Sequence, residues 1–150
     1  MNLFEQINKD IISAMKAKEV DKLTALRAVK SELLLLKTSI GGKNEISDTE
    51  GIKVLQKMVK QRKDSADIYK SQGRDDLFKK EITEAKYIQA YLPEQISDEE
   101  LNSVISDIIK KTGAGSMKDM GKVMGTASKV LAGRAEGKLI AAKVKELLSK

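Results

Sequence analysis

The sequence predicts an all-α protein, and three observations carry that expectation. Its 150 residues contain a single proline, Pro93. Proline inside a helix removes a hydrogen bond and clashes with the preceding turn, so long helices are free to run on either side of it. Helix-start signals recur: Asn2-Leu-Phe-Glu5, Ser47-Asp-Thr-Glu50 and Ser97-Asp-Glu-Glu100 have capping-box spacing, and Ser116-Met-Lys-Asp119 is a weaker version. No stretch of alternating β-branched residues competes with the helical periodicity.

Seven helices follow, near residues 3–18, 20–40, 48–72, 75–92, 98–112, 116–131 and 137–148. The first opens at the Asn2 box. The second carries Leu26, Val29, Leu33, Leu36 and Ile40 on one side, extended by Leu23 and Leu34, and stops at Gly41-Gly42. The third has the stripe Ile52, Leu55, Val59, Ala66 and Tyr69 and stops at Gly73. After Gly73-Arg74, the acids Asp75-Asp76 suit the positive start of the fourth, whose stripe is Leu77, Phe78, Ala85, Ile88 and Leu92 and whose stop is Pro93. The fifth aligns Leu101, Val104, Ile105, Ile108 and Ile109 before Gly113. The sixth aligns Met117, Met120, Val123, Met124 and Leu131 before Gly133, and the seventh Leu139, Ile140, Val144, Leu147 and Leu148. The first four helices are long and the last three short. The expected architecture is therefore an elongated N-terminal bundle of about four helices over residues 1–93 and a compact three-helix domain over 94–150.

Composition closes most chemical routes. There is no Cys and no His, so thiol nucleophiles, Cys-based zinc sites, the usual general base and the commonest metal ligand are all missing. Trp is absent, and Phe4, Phe78, Tyr69, Tyr87 and Tyr91 are the only aromatics, too few for single-stranded base-stacking platforms. The apolar run Leu33–Leu36 is far too short to span a bilayer. Glu5, Lys9 and Asp10 stand where a secretory segment would be apolar. The expectation is a cytoplasmic protein with no membrane, metal or cofactor partner. A net charge of +6 and a pI near 9.4 permit a nucleic-acid partner without requiring one.

Charges fall where the helices should be dry. Placed at 100° intervals, Arg27 and Lys30 lie inside the apolar arc of the second helix, Arg62 inside that of the third, and Glu81 and Glu84 inside that of the fourth. Desolvating one alone would cost several kcal/mol. Two arrangements answer this: ion pairs between helices, or a gap in which Arg27, Lys30 and Arg62 face a bound anion. In the run Lys57-Met-Val-Lys60-Gln-Arg62-Lys63, the residues Lys53, Lys57, Lys60 and Lys63 share a solvent side. Asp64 and Asp67 follow lysines at four-residue spacing, which suggests a self-neutralised face.

Four further motifs have ordinary explanations. Gly113-Ala-Gly115-Ser116 lacks the Lys-Ser/Thr of a phosphate loop and reads as a turn. Gly121-x-x-x-Gly125 reads as helix packing. Ser13-Ala-Met-Lys16 has no identifiable oxyanion hole beside it. The acidic pairs Asp75-Asp76 and Glu99-Glu100 cap helix starts. No catalytic constellation emerges.

An ordered series of motifs runs through the chain. It comprises Leu26-Arg27, Lys30-Ser31-Glu32, Lys60-Gln61-Arg62, Tyr69, Gly73-Arg74, Glu81 and Tyr91-Leu92-Pro93-Glu94-Gln95. It continues with Lys118-Asp119-Met120-Gly121-Lys122-Val123-Met124 and Gly133-Arg134-Ala135. This series closely resembles the YqeY family, also called GatB/YqeY-domain proteins. Glu136 departs from the family's Gly-Arg-Ala-Asp pattern but keeps the charge. The resemblance extends to the C-terminal part of the GatB subunit of the glutamine-dependent tRNA amidotransferase. It implies a two-part helical fold, a tRNA-directed tail over residues 121–148, and the label carbon–nitrogen ligase with glutamine as amido-N-donor. The parts of that enzyme that activate with ATP and hydrolyse glutamine have no counterpart in these 150 residues.

The expected role is thus an accessory module that binds tRNA by shape and charge, acting alone or beside amidotransferase subunits or an aminoacyl-tRNA synthetase. Lys118, Lys122, Lys129, Arg134 and Lys138 are the candidate RNA contacts, with Gly125, Gly133 and Gly137 allowing a phosphate backbone to come close. A non-catalytic protein-interaction adaptor of the translation machinery is the alternative, and a stand-alone enzyme ranks last.

Overall fold

The structure, a computed structural model, describes residues 2–39 and 46–149. Ile40 and the Gly41-Gly42 stop lie outside the described residues. Within them the chain forms seven α-helices and no strand: α1 Leu3–Ala17, α2 Val20–Ser39, α3 Asp48–Ser71, α4 Asp75–Gln89, α5 Asp98–Thr112, α6 Met120–Val130 and α7 Gly137–Leu148. A single 3-10 turn, Met117–Asp119, precedes α6. The protein is all-α.

The helix starts form by side-chain capping. Asn2 Oδ1 accepts from the Glu5 amide at 2.9 Å, and the Glu5 carboxylate accepts from the Asn2 amide at 3.2 Å. Ser47 and Glu50 close the same reciprocal box. At Ser97 only half of it forms. The hydroxyl takes the Glu100 amide at 3.2 Å, while the Glu100 carboxylate turns to the Arg134 guanidinium at 3.3 Å. At Ser116 the hydroxyl accepts from the Lys118 amide at 3.3 Å, a 3-10 turn forms first, and α6 starts later than expected.

Two helix ends also differ from expectation. α4 stops at Gln89, and the chain tightens through Tyr91 N–H to Ile88 O and Leu92 N–H to Gln89 O before Pro93. The residue ahead of a proline is disfavoured in the α region, which accounts for the early stop. α1 stops at Ala17, and its C-cap Lys18 takes the left-handed conformation (φ 56°) usually left to glycine.

Contacts divide the chain into two compact units, Met1–Leu92 and Pro93–Lys150. In the first, α3 against α4 is the most extensive pairing, and α2 packs on α1, α3 and α4. Its core is Ile7, Ile11, Leu26, Val29, Leu33, Leu55, Met58, Val59 and Ile88. In the second, α5, α6 and α7 pack pairwise around Leu101, Ile105, Ile108, Val123, Leu131, Ile140, Val144 and Leu148. Each such aliphatic side chain contributes about 1.5–3 kcal/mol by leaving water. Met117 and Leu139, expected in these stripes, are exposed instead. Met117 belongs to the 3-10 turn, and Leu139 lies a hundred degrees around α7 from Ile140.

A polar tie fastens the turn after α4 to α1. The Tyr91 hydroxyl donates to Asp10 Oδ2, and Gln6 Nε2 donates to Asp10 Oδ1 at 3.0 Å. Burial, the hydrogen bond to Asp10 and its negative charge push the Tyr91 phenol above its ordinary value. A raised folded-state value means this tie stabilises below the ordinary phenol range, and its contribution is lost as pH rises through the raised value.

Two predictions follow from this geometry. Lys18→Gly should raise stability by roughly 0.5–1 kcal/mol in urea unfolding, because the left-handed strain disappears and no buried contact is lost. Tyr91→Phe should lower stability at neutral pH by about 1 kcal/mol and flatten the alkaline limb of a stability–pH profile.

Candidate nucleic-acid interface

The ionic residues of the first unit do not all converge. The structure brings Arg62 of α3 and Glu84 of α4 together, with Nε to Oε2 at 3.6 Å and side chains 17% and 12% exposed. Arg62 Nη1 also donates to the Met58 carbonyl at 3.5 Å, while its Nε is shielded from solvent and makes no hydrogen bond. Lys30 and Glu81 are half-buried and Arg27 is exposed. None of these three forms an ion pair among the described residues. Placing Arg27 inside the apolar arc is therefore corrected. It sits a hundred degrees from Leu26, at the arc's edge, where a long side chain reaches water.

The lysine-rich face of α3 is exposed at Lys53, Lys57, Lys60 and Lys63, but Asp64 and Asp67 do not come within ion-pair distance of them. Side-chain entropy outweighs so weak an attraction in water.

In the second unit, two of the cations hold the fold together. Arg134 Nε donates to the Glu94 carbonyl at 3.1 Å, and its Nη2 reaches both Glu100 carboxylate oxygens at 3.3 and 3.4 Å. Around it the Ile96 amide donates to Arg134 O, and Gln95 Nε2 donates to Gly133 O at 2.8 Å. Gly133 is buried with φ 79°, a conformation that needs glycine. The Gly133-Arg134-Ala135 motif thus clamps the segment after Pro93. Arg134, expected as an RNA contact, and Gly133, expected to let a phosphate backbone come close, both take part in this clamp, with Gly133 buried inside it.

The second structural cation is one that sequence reasoning missed. Lys143, whose side chain is 12% exposed, pairs with Asp98 at 3.4 Å and Glu146 at 3.3 Å. Burial lowers its pKa, but the hydrogen bonds and charges of Glu146 and Asp98 more than offset this and hold it above the ordinary lysine value. Its place one turn after Ile140 and beside Val144, on the buried face of α7, was the available signal.

The remaining candidates are exposed: Lys118 in the 3-10 turn, Lys122 and Lys129 on α6, and Lys138 in the first turn of α7. Lys122 Nζ donates to the Thr112 carbonyl at 3.4 Å, which leaves it two further donors. A shallow groove of about 550 Å³ runs along α6, lined by Gly121, Lys122, Gly125, Thr126, Lys129 and Val130. A Cβ placed on Gly121 or Gly125 would meet nothing within 4 Å. Among the described residues of the second unit the Gly121-x-x-x-Gly125 pattern therefore serves no packing, contrary to expectation; it leaves bare helix backbone beside two lysines. α6 contains no Asp or Glu, and the neighbouring Asp119 accepts the Gly115 amide at 3.0 Å. Lys118 and Lys138 do not line this groove.

The profile of a family described as Yqey-like protein matches residues 4–148. The chain belongs to the YqeY family. Three fungal relatives carry the name "Altered inheritance of mitochondria protein 41, mitochondrial". That of Vanderwaltozyma polyspora is 32% identical over 129 residues, covering 76% of this chain and 64% of the relative. That of Clavispora lusitaniae is 33% identical over 114 residues, covering 75% and 65%. That of Pyrenophora tritici-repentis is 23% identical over 146 residues, covering 95% and 79%. The chain thus spans less than two-thirds of the length of the first two. Relatives named as mitochondrial overturn the cytoplasmic expectation. The charges at Glu5, Lys9 and Asp10 spoke only against an apolar secretory segment and carried no information about other addresses.

The buried pair sets a test of the fold that presents these surfaces. Glu84→Ala should cost roughly 2 kcal/mol in urea unfolding, because it strands Arg62 without its counter-charge. Replacing both residues with Met should cost markedly less, and Glu81→Ala should stay within about 0.5 kcal/mol.

Proposed function

We propose that the second unit binds folded RNA, with tRNA as the class the family resemblance implies, and that the chain is an accessory binding module. In this reading α6 lies along a phosphate backbone. Lys122 and Lys129 supply charge, and Gly121 and Gly125 let the strand approach the helix closely. Lys118 and Lys138 add exposed charge to the same unit without lining the groove. The observation that carries the reading is the open glycine face between unopposed lysines. Glycine within a helix costs up to about 1 kcal/mol relative to alanine, and here no contact among the described residues of the second unit repays that cost.

Binding of this kind is salt-dependent, insensitive to base sequence and independent of aromatic stacking. It needs no imidazole or thiol, and the chain has neither. Amidotransferase subunits or an aminoacyl-tRNA synthetase are the partners beside which such a module would act. Val130, 57% exposed on the groove wall, favours a second reading in which α6 docks a protein of the translation machinery.

Titration of the purified chain with bulk tRNA across a salt series tests the proposal. Affinity should fall steeply with salt, and Lys122→Glu with Lys129→Glu should reduce the slope of log affinity against log salt by about 2. Gly125→Ala should raise stability by roughly 1 kcal/mol while weakening RNA binding. Binding indifferent to salt and to all three substitutions would refute the RNA reading, and an apolar partner lost on Val130→Lys would favour the adaptor.

A further inference from the structure

Apart from the RNA proposal, the first unit carries an unpartnered surface of its own. α2 is apolar on more than one side. Leu26, Val29 and Leu33 are buried against the core, yet Leu35 is 62% exposed. A surface helix normally turns such a side toward solvent with polar residues, so an exposed leucine opposite the core marks a second contact face. Beside it, α2 and α3 part to leave a groove of about 400 Å³. Leu36, Val54 and the buried Met58 supply apolar lining, the exposed Leu35 joins them, and Ser39 and Gln61 add polar groups. Glu32 lines the α2 side and Lys57 the α3 side. Both are exposed, and neither forms an ion pair among the described residues.

We infer that this groove is occupied by a second copy of the same chain, in a two-fold symmetric dimer. A two-fold interface must be self-complementary, so one patch has to carry both a projection and its socket, and both an acid and its base. This patch does. Leu35 is the projection, and the hollow over Met58 between Leu36 and Val54 is the socket. Glu32 on one wall and Lys57 on the other are opposite charges on opposite sides of the symmetry element. Leu35 of each copy enters the socket of the other, and Glu32 of each faces Lys57 of the partner subunit. A foreign helix would need only the socket, and would leave Leu35 and the paired charges without a role.

Sedimentation of the full chain from micromolar to millimolar concentration reads this out. A concentration-dependent monomer–dimer equilibrium is expected. Glu32→Lys alone and Lys57→Glu alone should each raise the dimer dissociation constant by about tenfold or more at low salt, since each places like charges at two symmetric positions. The double exchange should restore the wild-type value, a rescue that a purely structural role for either residue would not give. Leu35→Lys should abolish the dimer with the helical circular dichroism unchanged. A chain that stays monomeric throughout would leave the groove to a different protein and overturn the inference. So would a dimer that tolerates Leu35→Lys or is not rescued by the exchange.

Discussion

Glu84 is buried in a bundle that has no disulfide and few aromatics, and Arg62 is the counter-charge that makes its position tolerable. The pair joins α3 to α4, the most extensive helix pairing of the first unit, and lies alongside a core built almost wholly of aliphatic side chains. Thin aliphatic stripes give little tolerance for stray charge: an ion left alone among them costs more than several leucines contribute. Every cation near a stripe therefore either reaches its acid, as Arg62 does, or reaches water, as Arg27 does.

The same requirement organises the second unit. The acids at the start of α5 draw in Arg134 through Glu100 and Lys143 through Asp98. Three helices of 11 to 15 residues make a small core, and these cross-links hold their ends. Glu100 gives up the reciprocal half of its capping box to do so, because a charged hydrogen bond to guanidinium is stronger than one to an amide. Arg134 and Lys143 are engaged in these cross-links, while Lys118, Lys122, Lys129 and Lys138 are among the exposed lysines of the unit. The glycines of α6 surround two of them with accessible backbone.

Two chemically different surfaces result. The α6 face is cationic, shallow and short of side-chain bulk, which suits a polyanion read by shape. The α2/α3 groove is mixed, four apolar side chains beside Ser39, Gln61 and one charge of each sign, which suits a protein surface built on the same pattern.

Helix number, order and most boundaries were legible in the sequence, because local chemistry decides them. Asn2, Ser47 and Ser97 cap their own neighbours, Gly73 and Gly113 adopt left-handed turns, and Pro93 ends what precedes it. The candidate site was legible only as a set of residue types. Periodicity placed Lys122 and Lys129 on one helix, but it could not separate them from Arg134, since nothing local reveals that Glu94 and Glu100, dozens of residues away, already hold that guanidinium. Nor could it distinguish a packing glycine from an exposed one: the Gly121-x-x-x-Gly125 spacing is the same in both, and only the arrangement of α5 and α7 decides which side of α6 is covered. The sequence alone determined the helices and the absence of imidazole and thiol chemistry. Which charges are spent on the fold and which remain for a partner was decided by tertiary structure, because ion pairing depends on distance in space and not along the chain.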